Sequence, residues 1–121
     1  MSKPKILVVD DSPTDRRVVT SVLQRQGYAV VTAADGDEAL EKVTLDIPDL
    51  IVLDVVMPKR NGFQVCRQLK TTPATKDIKI LLLTSKNQES DRFWGIKQGA
   101  DGYITKPFAD EELLNQVAEL L

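Results

Sequence analysis

Five short apolar runs, separated by stretches of helical period, restrict this chain to very few folds. The runs cover residues 5–9, 28–33, 49–53, 78–83 and 102–105, and each leads into a segment with helical spacing of apolar residues. Strand-length runs alternating with helices are the pattern of repeated βα units, which assemble into a parallel sheet. Three runs, ILVV, LIVL and IKILLL, are apolar almost without interruption. Strands of that kind are covered by helices on both faces, so these three are expected at the centre of an α/β structure.

The helix boundaries carry their own signals. Ser12 followed by Pro13 predicts an N-cap with proline at the first helical position, and Gly27 predicts the stop. Between them Val18, Val19, Val22 and Leu23 form an expected apolar stripe, with Arg16, Arg17 and Arg25 facing outward. Asp35, Asn61 and Asp110 are the expected caps of the second, third and fifth helices. The fourth helix, residues 88–98, is less regular and contains Gly95, whose cost inside a helix is about 1 kcal/mol relative to Ala. It is expected to be the softest. The polar loop KTTPATKD reads as a connector.

Composition narrows the function. At 121 residues and 42% hydrophobic content the chain suits one domain with one core, residues 1–121. Lys and Arg (16) nearly balance Asp and Glu (18), so the charge of −2 gives no reason to expect nucleic acid or an anionic membrane as partner. A protein partner or a small ligand is favoured instead. There is no histidine and only Cys66, which removes nearly all zinc arrangements, Ser-His and Cys-His dyads, and an intramolecular disulfide. No apolar leader or bilayer-length run is present, and a reducing cytoplasm is the expected location.

Chemistry-bearing residues gather where the runs end. Asp10 and Asp11 follow ILVV, Asp54 follows LIVL, Thr84 follows ILLL, and Lys106 lies just past GYIT. In an open parallel sheet the crevice at the carboxyl ends of the strands is where ligands bind, so these residues are expected to meet there. Adjacent carboxylates repel, a cost that a bound dication removes. An oxygen-only donor set suits Mg²⁺, which keeps several waters and takes one or two carboxylates with a phosphate oxygen. Asp54 can act as a nucleophile in phosphoryl transfer, with the metal and Lys106 opposing the developing charge. Each residue has a plainer explanation taken alone: Asp10 and Asp11 as caps, Asp54 as a turn carboxylate, Thr84 as a β-former. Their recurrence at one sheet edge argues for the joint reading.

Together, the DD pair at Asp10–Asp11, LIVLDVVMP around Asp54 with Gly62 behind it, Thr84–Ser85, and GADGYITKPF from Gly99 to Phe108 resemble the receiver domain of two-component response regulators. The resemblance runs from Lys5 to Leu121, with all five site positions in order. It implies a doubly wound, flavodoxin-like (CheY-like) five-stranded sheet of order 2-1-3-4-5, and phosphorylation of Asp54 by the phosphohistidine of a sensor kinase. It further implies that Asp11, Asp54 and the backbone carbonyl of Val56 ligate Mg²⁺, with Asp10 acting largely through water. Thr84 and Tyr103 would form the family's switch, the ring turning inward, and Lys106 would pair with the phosphate.

The segment NQESDRFWGIKQGADGYITKPF is similar to single-domain regulators of chemotaxis-like systems serving type IV pilus motility and phototaxis (PilH-like). The implied partners are a CheA-like sensor histidine kinase and a downstream protein target in the motility machinery. The implied state is a monomer or a weak, phosphorylation-dependent dimer, a signalling switch rather than a turnover enzyme, whose output surface includes Arg92, Tyr103 and Glu112. Val56 and Lys86, two residues past Asp54 and Thr84, flank the path of the attacking water in receivers. Val56 cannot orient a water, so slow self-dephosphorylation is expected. Helical spacing sets Phe93, Ile96 and Ala100 against Asp91, Trp94, Lys97 and Gln98, leaving Trp94 either exposed as a partner anchor or folded onto a neighbour. Cys66, near Val65 and Leu69, reads as a buried small hydrophobe.

Two rival activities fit the same elements less well. A Mg²⁺-dependent phosphohydrolase with an aspartyl nucleophile needs a general acid beside it, and none follows Asp54. A nucleotide or flavin carrier needs a glycine-rich phosphate loop, whereas the first strand leads into DDSPTD.

Overall fold

A computed structural model describes residues 3–121 as five βα units in strict alternation. The strands are β1 (Lys5–Val9), β2 (Ala29–Ala33), β3 (Leu50–Leu53), β4 (Lys79–Thr84) and β5 (Gly102–Thr105). The helices are α1 (Pro13–Arg25), α2 (Gly36–Leu45), α3 (Gly62–Thr71), α4 (Glu89–Lys97) and α5 (Asp110–Leu120). All strands pair in parallel in the order β2-β1-β3-β4-β5. The three continuous apolar runs are therefore the central strands, as expected. Tyr28 and Ile78 fall outside the ladder because their amides close the preceding turns, onto the Leu23 and Thr75 carbonyls.

Alternate residues of each central strand feed two cores. Leu7, Val9, Ile51, Leu53, Ile80 and Leu82 face Ala39 and Val43 of α2 and Val65, Cys66 and Leu69 of α3. Ile6, Val8, Leu50, Val52, Leu81 and Leu83 face Val19, Val22 and Leu23 of α1 and Leu113 and Val117 of α5. Each such buried side chain contributes about 1.5–3 kcal/mol over leaving it exposed. Cys66 is fully buried, as expected of a small hydrophobe.

Ser12 caps α1 by accepting from the Asp15 amide, Asp35 caps α2, and Asn61 caps α3 in a reciprocal box with Gln64. Gly27 ends the first unit at φ +99°, a left-handed conformation that glycine adopts without a Cβ penalty.

Several local expectations are corrected. Val18 is 48% exposed, because the inward stripe of α1 is centred on Val19, Val22 and Leu23 and position 18 lies at its edge. Arg16 does not face solvent: its guanidinium reaches back to the Asp10 carbonyl at 2.7 Å. Asp110 is not a cap. Ala109 holds that position, its carbonyl taking the Glu112 and Leu113 amides, while Asp110, Glu111 and Glu112 place negative charge in the first turn, where the helix dipole favours it. On α4, Phe93 and Ile96 are exposed like Trp94. The helix instead sits on the sheet through Gly95, the one buried residue between Glu89 and Lys97. A Cβ there would meet Leu82 Cδ1 at 2.8 Å and the Tyr103 ring at 3.1 Å, so the glycine permits the close approach.

Candidate functional site

Strand register brings the carboxylates together. Val9 pairs with Leu53, so the next residues, Asp10 and Asp54, leave adjacent strands side by side. Their backbones stay in the ladder: the Asp54 amide donates to the Val9 carbonyl at 3.0 Å and the Asp10 amide to Ala33 at 3.1 Å. Asp10, Asp11 and Asp54 each present a carboxylate oxygen within 4.8 Å of the others. Asp10 and Asp54 are buried, and Asp11 is exposed.

Lys106 enters from β5. Its amide donates to the Thr84 carbonyl at 2.8 Å, which sets the side chain over the crevice, and the peptide bond to Pro107 is cis. The ammonium donates to Asp10 Oδ2 at 2.8 Å, Asp15 Oδ2 at 3.0 Å and Asp54 Oδ2 at 3.2 Å. All three of its protons are thereby engaged. Burial works against the charge on Lys106, but its hydrogen bonds to Asp10 and Asp15 and the field of Asp54 outweigh it and raise the pKa. Burial also pushes the Asp10 carboxyl up, opposed by its hydrogen bonds from Lys106 and the Ser12 amide.

The other oxygen of Asp54 accepts from the Val56 amide at 3.2 Å, and the Val56 side chain lies half-exposed beside it. Behind the site Gly62 donates its amide to the Val55 carbonyl at 2.9 Å. A Cβ at Gly62 would collide with the Asp54 carbonyl and lie 2.8 Å from Val55 Cα, so only glycine lets α3 start this close to the crevice.

Thr84 and Tyr103 converge on one residue. The fully buried Thr84 hydroxyl accepts from the Lys86 amide at 3.3 Å, and the Tyr103 hydroxyl donates to the Lys86 carbonyl at 2.8 Å. The Tyr103 ring is turned inward and buried, so of the expected output residues Arg92 and Glu112 lie at the surface and Tyr103 does not. Arg92 stacks over that ring at 5.2 Å. Burial pushes the Tyr103 phenol up to about 12.

This arrangement matches a known family. Residues 6–118 fit the model of the response regulator receiver domain. The chain belongs to that family. Receiver domains are signalling switches that interact with histidine kinases and downstream targets, and the family uses Mg²⁺ at this acidic pocket. The solved structure of chemotaxis protein CheY4 of Vibrio cholerae matches this receiver domain with a TM-score of 0.93 and 38% identity, covering 99% of this chain and 100% of that one. Protein PilH of Pseudomonas aeruginosa is 40% identical, with 97% of both chains covered. The probable transcriptional regulator ycf27 of Cyanophora paradoxa is 46% identical over 100% of this chain, which spans only 49% of that protein.

Every residue expected at the sheet edge reaches this crevice or its margin. Asp10, Asp11, Asp54 and Lys106 meet directly, while Thr84 and Tyr103 meet through Lys86. Asp15 and Arg16 were not anticipated as site residues. A local signal existed for Asp15: the Ser12 cap fixes it at the third helical position, one turn past Asp11. Its contact with Lys106 spans 91 positions and has no local signature.

Proposed function

We propose that Asp54 is the phosphoacceptor of a two-component phosphorelay, in a single receiver domain covering residues 1–121. The observation that carries this is the meeting of three carboxylates within 4.8 Å with the Lys106 ammonium bonded to two of them. The donor set is all oxygen, with no histidine in the chain, which fits Mg²⁺. Asp11, Asp54 and the Val56 carbonyl would hold the ion, with Asp10 acting largely through water. When bound, it neutralises charge on the transferred oxygens.

A carboxylate oxygen of Asp54 forms the bond to phosphorus as the N–P bond of a kinase phosphohistidine breaks. The imidazole departs with the bonding pair and takes a proton from solvent. Lys106 opposes the charge on the phosphoryl oxygens, and the buried surroundings of Asp54 strengthen that interaction. The Thr84 hydroxyl then moves toward the phosphoryl group, releasing the Lys86 amide, while Tyr103 keeps the Lys86 carbonyl. That rearrangement carries the state to α4, β5 and α5, and the phosphoryl group favours the active arrangement only by binding it more strongly.

The partners in this reading are a CheA-like sensor histidine kinase and a protein of the motility machinery, in the cytoplasm. Likeness to PilH over 97% of both chains supports it. A second reading, the receiver half of a transcriptional regulator, is favoured by 46% identity to ycf27 over half its length. It predicts a natural polypeptide about twice as long that binds DNA when phosphorylated.

The acceptor reading is tested by incubation with acetyl phosphate and Mg²⁺ followed by intact mass. One phosphoryl adduct is expected in the wild type and none in Asp54→Ala or without Mg²⁺. An adduct persisting in Asp54→Ala, or none in the wild type, would overturn it.

A further inference from the structure

Lys106 has one counter-ion more than the acidic pocket requires. Asp15 stands on α1 outside the Asp10, Asp11 and Asp54 cluster, and its side chain is 47% exposed whereas those of Asp10 and Asp54 are nearly buried. Its position is fixed by the chain, since its amide is held by Ser12 Oγ at 3.2 Å in the N-cap of α1. Its Oδ2 lies 3.0 Å from the ammonium, between the distances to Asp10 and Asp54. Of those two buried carboxylates Asp54 would hold the dication directly and Asp10 largely through water, and Lys106 competes for both.

We propose that Asp15 is a positioning residue that draws the Lys106 ammonium toward α1 and so leaves Asp10 and Asp54 freer to accept Mg²⁺. The proposal rests on reading the carboxylate crevice as the Mg²⁺ site. An ammonium has three protons to place, and here one is committed to Asp15. With Asp15 neutral, the same ammonium concentrates on Asp10 and Asp54, and a dication must displace a stronger ion pair. When the ion is bound, Asp15 becomes the residual partner of Lys106. The cation then stays at the crevice edge, where an incoming phosphoryl group finds it.

The test is a Mg²⁺ titration by calorimetry of the wild type, Asp15→Asn, Lys106→Met and the double variant, with far-ultraviolet circular dichroism confirming each fold. Physiological salt is used because exposed charges are screened beyond about 8 Å. Asp15→Asn is expected to weaken Mg²⁺ binding about five-fold, and Lys106→Met to tighten it. In the Lys106→Met background the added Asp15→Asn change is expected to shrink below about two-fold, the non-additivity of residues acting through one another. Asp15→Glu, which keeps the charge, is expected to restore most of the affinity.

Unchanged or tighter binding in Asp15→Asn would overturn the role of Asp15 while leaving the Mg²⁺ site standing. An equal loss in both backgrounds would also overturn it, since Asp15 would then act by its field alone. Absence of Mg²⁺ binding in all four proteins would overturn the site reading and this proposal together.

Discussion

Two residues, one at the crevice and one in the core, show how side-chain chemistry sets behaviour. Val56 donates its backbone amide to Asp54 but presents an apolar, half-exposed side chain at the crevice. It has no group with which to align an attacking water, so the phosphoryl group on Asp54 is expected to decay slowly. Val56→Asn, assayed by loss of the phosphoryl adduct over time, is expected to decay several-fold faster, about a ten-fold change per 1.4 kcal/mol of barrier. Equal or slower decay would contradict this. Cys66, between α3 and the sheet, has its thiol pushed up to about 12 by burial, from 9.0. A raised acid pKa in the folded state means that the unfolded chain loses its proton first. Stability is therefore full below about pH 9 and falls as pH rises from there toward 12, in the same direction as the contribution of Tyr103. Denaturant midpoints measured from pH 7 to 11 are expected to fall, and a Cys66→Ala variant to fall less. Native protein at pH 8 is expected to resist iodoacetamide until unfolded.

At the scale of elements, close packing at Gly62 and one shared loop connect the fold to the site. Gly62 opens α3 against the Asp54 carbonyl and Val55, backbone atoms that cannot rotate away. Gly62→Ala is expected to cost about 1–3 kcal/mol by overpacking and to lower phosphoryl acceptance together with stability, read by chemical denaturation and adduct yield. Full stability with normal acceptance would show that α3 can start elsewhere. Between β4 and α4, Lys86 is held at its amide by Thr84 and at its carbonyl by Tyr103. Tyr103→Phe removes one of these bonds, a net loss of about 1 kcal/mol. Amide hydrogen exchange over residues 85–88 is expected to quicken in that variant while exchange in the central strands is unchanged. Exchange that quickens equally throughout would mean global destabilisation instead.

On the scale of the whole molecule, the sheet and its crevice were legible because their cause is local. Uninterrupted apolar runs such as LIVL have few ways to be buried, and a polar residue at the end of each must emerge at one sheet edge. Caps at Ser12, Asp35 and Asn61 were equally readable, since each bonds within three residues of itself. The contacts that went unread are long-range or depend on helix phase. Asp15 meets Lys106 across 91 positions, Val18 falls just beyond the buried stripe of α1, and α4 packs through the absence of a side chain at Gly95. Amphipathic spacing reports apolar faces and is blind to a helix that docks on a glycine. The account as a whole stands on Asp54 being the residue that takes the phosphoryl group. It is tested most directly by treating the protein with acetyl phosphate and Mg²⁺, reducing it with borohydride and mapping the peptides, since reduction converts an aspartyl phosphate to homoserine. Homoserine at position 54 alone is the predicted result. Its appearance at Asp10 or Asp11, or no conversion at any aspartate, would contradict the account.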